Sequence, residues 1–434
     1  MKKLNRLTTL LAALILLPCC LVAQDFEDYF VDRTLRLDYI FSGNAEAQEI
    51  SLMAYYKIPG WYGKRHRLAE TPMQGNGTIT VRDLATGTVI YKHPFSSLFQ
   101  EWLSYPEARE SGRKAFENVF LIPMPKQPVE VCLELRNNRH DVIAAMTQRI
   151  DPSDILMTPL GEQGTTPYTT LQTPKDDKRA IHIAFVAEGY TEDQMEDYLS
   201  DARKAVESIF GHEPFKSMRD RFSIIAVRSP SEESGASIPS KGVWRDTALG
   251  SHFDTFYSER YLTTLHLRKL HDLLAGTPYE HIIILVNTPH YGGGGILNSY
   301  NLSMTKDPAF VPVVTHEFGH SFAGLADEYA YEAEQIPMYP TDVEPWEQNI
   351  TTLKDFATKW SDLLPTEVST IPTPEESNYP VGVYEGAGYS LKGVYRPSKD
   401  CRMRTNSNPE FCPVCRRAIR EVIDFYTDGE GTDQ

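Results

Sequence analysis

The chain has 434 residues, enough for two domains with ample cores. It carries 43 Lys+Arg against 59 Asp+Glu, a net charge of −16. That acidity argues against nucleic acid or an anionic membrane surface as a partner.

The N-terminus reads as an export signal over residues 1–23, with Lys2, Lys3 and Arg6 ahead of an apolar Leu10–Leu17 core too short to span a bilayer. Its removal takes away three basic residues and no acidic ones, leaving 40 against 59, or −19. The protein is therefore expected in the periplasm, at the cell surface or secreted. Cys19 and Cys20 raise lipid anchoring as the alternative, but Pro18 stands where lipidation usually needs a small residue. No later stretch is long and apolar enough for a membrane helix.

Residues 24–155 alternate strand-like runs with turn signals: Thr34–Phe41, Ile50–Tyr56, Gly77–Arg82, Gly87–Tyr91 and Pro128–Leu135. Short strands at this spacing predict an antiparallel β-sandwich, and no catalytic constellation is visible in it. Residues 156–179, rich in Pro, Thr, Gly and Asp, read as a linker. From 180 to 434 the texture is α/β. Ala180–Val186, Phe222–Val227 and His281–Val286 read as buried strands. Thr191 and Gln194 have capping-box spacing for a helix that runs to about Phe210.

The chemistry is concentrated in Thr315–Tyr329, which contains His316-Glu-Phe-Gly-His320. Histidines four apart leave one face of a helix, and two neutral imidazoles can grip zinc at about 2.0–2.1 Å. Glu317 can take a proton from water at that metal. The bland alternative is a structural histidine pair. Val311, Val314, Phe318, Phe322 and Leu325 form an apolar stripe on the other side of the helix. Pro308 or Pro312 suits the helix start and Gly324 its end.

A tetrahedral site needs a third ligand. In the metzincin peptidases it lies three residues beyond the glycine that ends the helix. Here that position is Asp327, with the glycine itself one residue later than usual. Glu328 is the nearest competitor. Glu332 or Glu334 would be the gluzincin solution.

On these residues the chain resembles the secreted bacterial zinc metallopeptidases of the immunoglobulin A peptidase type. The resemblance rests on His316–Tyr329. It continues in Val381-Gly-Val-Tyr-Glu-Gly-Ala-Gly-Tyr389, Gly393–Pro397, Cys401-Arg-Met-Arg404 and Phe411-Cys-Pro-Val-Cys415. It implies a metzincin-like zinc endopeptidase domain behind the β-sandwich, one catalytic Zn2+, and a protein or peptide substrate, host glycoproteins among the candidates. It also implies that Met403 is the methionine beneath the metal. Tyr395 is the first candidate to stabilise an oxyanion, being closer in sequence to Met403 than is Tyr389.

The Gly-rich Tyr291–Tyr300 segment lacks a following Gly-Lys-Ser/Thr, so it is a weak phosphate loop. In metzincin-like folds this position holds the edge strand along the cleft, where glycines let a peptide backbone pair; a flexible loop is the plainer reading. Cys132, Cys401, Cys412 and Cys415 remain after export. A disulfide from Cys401 to Cys412 or Cys415 is expected, with a metal on Cys412-x-x-Cys415 as the alternative. The rival functions are an inactive glycan- or protein-binding protein on a peptidase scaffold, and a zinc hydrolase acting on something other than peptide.

Overall fold

The computed structural model describes residues 25–428 apart from 111, 334, 335 and 337. The expected export signal, Cys19, Cys20 and Glu334 lie outside the described residues. Among those described, no helix is long and apolar enough to cross a membrane.

The N-terminal half is built from two four-stranded sheets. One orders Lys114–Pro125, Phe30–Gly43, Gln48–Pro59 and Thr158–Pro159; the other orders Val89–Phe95, Gly77–Asp83, Val129–Arg136 and Val142–Ile150. Alternation turns one face of each sheet inward, as in Gly77–Asp83, where Ile79 and Val81 are fully buried. Aromatic rings join the two layers: Phe95 lies 4.5 Å from Phe120 and 6.2 Å from Phe41, centroid to centroid.

Two strands of this half, Lys114–Pro125 and Val142–Ile150, were not expected from the sequence. The stretch expected as a linker is also structured. Thr158–Pro159 pairs with Gln48–Pro59, and Tyr168–Gln172 pairs antiparallel with Phe222–Val227 of the next sheet.

That second sheet has six strands, in the order Gly293–Ile296, Tyr300–Met304, His281–Val286, Ile181–Glu188, Phe222–Val227 and Tyr168–Gln172. The four inner strands are parallel and the two edges antiparallel. Ile181–Glu188, Phe222–Val227 and His281–Val286 are buried along their whole length, which is why they read as unbroken apolar runs. The Met195–Ile209 helix follows the Thr191/Gln194 capping box.

The helix bearing the histidines spans Phe310–Ala323, with Pro312 in its first turn. Its apolar stripe is buried at Val314, Phe318 and Phe322, while Val311 is exposed. Phe318 and Phe322 pack on Phe215, at 5.4 and 5.7 Å. Burying each such side chain contributes on the order of 1.5–3 kcal/mol. Ser208 Oγ holds the helix from its neighbour, donating to Val311 O at 2.7 Å and meeting Thr315 Oγ1 at 2.8 Å. The anchored face leaves His316 and His320 on the side that opens to the cleft.

The two halves are joined by polar contacts. Arg36 bonds Asp272 at 2.6 Å, Trp346 Nε1 donates to Asn76 at 2.7 Å, and His140 meets Glu344 O at 2.9 Å.

Candidate active site

Gly324 ends the motif helix. Its φ is +58°, and its N–H returns to His320 O at 3.0 Å. A Cβ there would sit 2.6 Å from the Trp346 ring, so glycine is required both for the left-handed backbone and for space. The chain then turns back under the histidines. Ala326 is clamped by Asn349, which accepts its N–H and donates to its C=O, both at 2.8 Å. This clamp brings Asp327 beneath the helix.

His316 Nε2, His320 Nε2 and Asp327 Oδ1 converge. The nitrogens are 3.0 Å apart, and the carboxylate oxygen is 3.0 Å from His316 and 3.3 Å from His320. Tetrahedral bonds of about 2.0–2.1 Å to one ion require ligand atoms about 3.3 Å apart. Each histidine turns its other nitrogen to a backbone carbonyl: His316 Nδ1 to Arg402 O at 2.9 Å, His320 Nδ1 to Leu325 O at 2.5 Å. Protons on Nδ1 satisfy those carbonyls and leave both Nε2 lone pairs aimed at the shared point. Lone pairs that close repel unless a cation lies between them, so the group fits a metal.

The charges agree. Burial opposes ionisation of His320, but the Asp327 carboxylate outweighs it and pushes the imidazole up to about 9. Burial likewise works against the Asp327 anion, and the two imidazoles hold it well below the carboxylate range. Asp327 Oδ2 accepts the Tyr389 hydroxyl at 2.7 Å, and that hydroxyl meets Tyr329 OH at 3.1 Å.

Glu317 is 9% exposed, and burial raises its carboxyl from the ordinary value against the pull of His316 and His320. A Cβ on Gly293 would lie 2.5 Å from Glu317 Oε1, and one on Gly295 would lie 2.5 Å from Glu317 O. The glycine run therefore lets a strand lie against the motif helix at its acid. Gly292 and Gly294 do the same for the chain's own 260–262 segment: Cβ atoms there would meet Arg260 O at 2.2 Å and Leu262 O at 2.7 Å. Gly293–Ile296 is the edge strand that the sequence suggested. At Gly293, however, its outer edge is already paired, since Leu262 N donates to Gly293 O at 3.1 Å. The backbone admitted there is this chain's own.

Glu328 faces away from the histidines. Its Oε1 accepts from Asn349 Nδ2 at 3.0 Å and lies 3.0 Å from Cys415 Sγ. Glu332 is exposed and stands outside the three-residue group. Met403 is fully buried beneath the helix, where a Cβ on Gly319 would lie 2.7 Å from its sulfur.

Tyr395 is not brought to this group. It lies on the Ser390–Arg396 strand, its backbone exchanging hydrogen bonds with Thr351 at 2.8 and 3.0 Å, and it does not line the cleft. The tyrosine that reaches the carboxylate is Tyr389, because the hairpin turn projects it there at a φ of +58°. Nearness to Met403 along the chain was a poor guide to nearness in space.

The expected disulfide is not formed. Cys401, Cys412 and Cys415 are buried free thiols, the Cys401 and Cys415 sulfurs are 3.8 Å apart, and Cys132 stands on the Val129–Arg136 strand of the other half.

The histidines open onto a cleft of about 690 Å3. The N-terminal half forms one of its walls, through Asn76, Ser97, Gln100, Glu101, Tyr105 and Asn138. Sequence reasoning found no functional residue in that half. Glu101 accepts the Tyr261 hydroxyl at 2.5 Å, and burial pushes its carboxyl up to about 7. The local signal was Ser97-x-x-Gln100, which caps the short Leu98–Trp102 helix that carries Glu101.

A family model described as IgA Peptidase M64 matches residues 169–380 and 375–423, and one described as Peptidase M64 N-terminus matches residues 25–147. No curated protein matches the chain. With more than half of its residues covered by the first model, the chain belongs to the IgA peptidase M64 family, a family of metallopeptidases.

Proposed function

We propose that this protein is an exported, zinc-dependent endopeptidase with a metzincin-like catalytic domain. The observation that carries this reading is the convergence of His316 Nε2, His320 Nε2 and Asp327 Oδ1 within 3.0–3.3 Å, with Glu317 beside them at the wall of a cleft. Two imidazoles and one carboxylate make a three-ligand donor set that leaves a fourth position for water or substrate. When bound there, zinc supplies Lewis acidity toward a peptide carbonyl and makes a coordinated water more acidic.

The residues of the chain do the rest. The Arg402 and Leu325 carbonyls hold both imidazoles in the tautomer that presents Nε2. Tyr389 orients Asp327 through its hydroxyl. Glu317 takes the proton of the attacking water and returns it to the leaving amine. Burial raises its proton affinity above that of a free carboxylate, the direction a general base needs. A cleft walled by both halves accommodates an extended chain running across the site, which favours cleavage within a polypeptide.

The test is digestion of casein and immunoglobulin by the purified protein, with products identified by mass spectrometry. Cleavage that stops with a chelator and returns with zinc is expected. Metal-independent cleavage would overturn the zinc assignment. Tight zinc without cleavage of these or of an unbiased peptide library would instead support an inactive binding protein or a non-peptide hydrolase.

A further inference from the structure

Behind the histidine site lies a second convergence of ligand atoms. Glu328, Cys401, Cys412 and Cys415 are all buried, and one ligand atom from each lies within 4.8 Å of the others. Cys401 Sγ is 3.8 Å from Cys415 Sγ, and Glu328 Oε1 is 3.0 Å from Cys415 Sγ and 3.9 Å from Cys412 Sγ. Zinc–sulfur bonds of about 2.3 Å at the tetrahedral angle place sulfurs about 3.8 Å apart. A disulfide would need about 2.05 Å.

The backbone is arranged for thiolates. Cys401 Sγ accepts the N–H groups of Cys412, at 3.2 Å, and Met403, at 3.5 Å. Cys412 Sγ accepts the N–H of Cys415 at 3.5 Å, across the Cys-Pro-Val-Cys turn that opens the Pro413–Thr427 helix. N–H groups aimed at sulfur favour the ionised form. Glu328 Oε2 is buried without a hydrogen-bond partner. A buried carboxylate among three sulfurs is costly unless a cation compensates it.

We propose that Glu328, Cys401, Cys412 and Cys415 hold a second, structural zinc ion. Binding displaces the three thiol protons to solvent. The site is closed: four protein ligands fill the tetrahedron and leave no position for substrate. Three sulfurs to one oxygen select a thiophilic ion over magnesium or calcium. Burial of the sulfurs keeps them from external disulfides, so the cluster is compatible with an oxidising compartment.

The ion would pin three separate pieces of the chain beneath the active site. Glu328 follows Asp327 directly. Cys401 leads into Arg402, whose carbonyl holds His316, and into Met403, whose carbonyl accepts Glu328 N–H at 2.9 Å. Cys412 and Cys415 fix the start of the C-terminal helix. Asp327 and Glu328 thus point to two different metals, one on each side of the loop.

The experiment is a zinc count on the full protein, with X-ray absorption at the zinc edge. Two equivalents per chain are expected, with a sulfur shell at about 2.3 Å. The His316→Ala/His320→Ala double variant should retain one equivalent, and its spectrum should become richer in sulfur. Because that variant removes the histidine site, the retained ion reports on the cluster alone, and failure of the peptidase reading would leave the result intact. A double variant without zinc would overturn the proposal. So would a disulfide among Cys401, Cys412 and Cys415, read as a 2 Da loss in the unreduced mass of wild-type protein. Cys415→Ser is a further check: it should lose the sulfur-bound ion and weaken zinc binding at the histidine site by about 10–100-fold, as loss of a ligand's support typically does. If that variant does not fold, the count and the mass of the wild-type protein still decide.

Discussion

Glu317→Gln is expected to lower kcat at least 100-fold while zinc stays bound. The amide keeps the shape of the carboxylate and its seat against Gly293, but it cannot accept a proton. A positioned general base contributes about 10²–10⁴-fold, so the loss should fall in that range. None of the three converging ligand atoms belongs to Glu317, so metal content should not change. Single-turnover kinetics and metal analysis on the same preparation check both halves. A variant that keeps more than about a tenth of the wild-type kcat would remove Glu317 from the mechanism.

The second large effect is at Asp327. Asp327→Ala should lose the histidine-bound ion on dialysis, and all cleavage with it. The carboxylate is the only anion among the three donors, and its loss leaves two histidines at an incomplete tetrahedron. It also leaves the half-buried Tyr389 hydroxyl without its carboxylate acceptor. Tyr389→Phe removes only that support and should be milder, weakening zinc by about 10–100-fold. Equilibrium dialysis against a zinc buffer ranks the two. Equal retention by Asp327→Ala and wild type would exclude Asp327 as a ligand.

How much of this was legible in the sequence follows from what each signal measures. Ile181–Glu188, Phe222–Val227 and His281–Val286 are buried on both faces, so apolar composition alone marked them. Most of the strands that were missed are edges; the inner Tyr300–Met304 was missed because Asn301 and Ser303 interrupt its apolar run, although it is buried throughout. Lys114–Pro125 ends in Pro123 and Pro125, tolerable because that strand borders its sheet, and Val142–Ile150 is exposed along much of one side. Tyr168–Gln172 sits in polar surroundings and gains its place only by pairing with Phe222–Val227.

The site divides the same way. His316, Glu317 and His320 lie within one helical turn of each other, a geometry that local spacing determines. Asp327 was reachable through the metzincin spacing, three residues beyond the glycine that ends the helix, here Gly324. The side chains that come from afar could not be placed at the site by local pattern, although Tyr389 was weighed behind Tyr395. Tyr389 reaches Asp327 through a hairpin turn, and Glu101 reaches the cleft from the other half of the chain. The cysteines were not resolved by spacing, which allows a bridge or a metal equally, and the fourth buried group beside them, Glu328, comes from a separate segment of the chain.

The most direct measurement of the central claim is anomalous diffraction at the zinc edge from crystals grown with zinc. A peak about 2.0–2.1 Å from His316 Nε2, His320 Nε2 and Asp327 Oδ1 together is expected. Zinc-saturated, active crystals with no peak among those three atoms would contradict it.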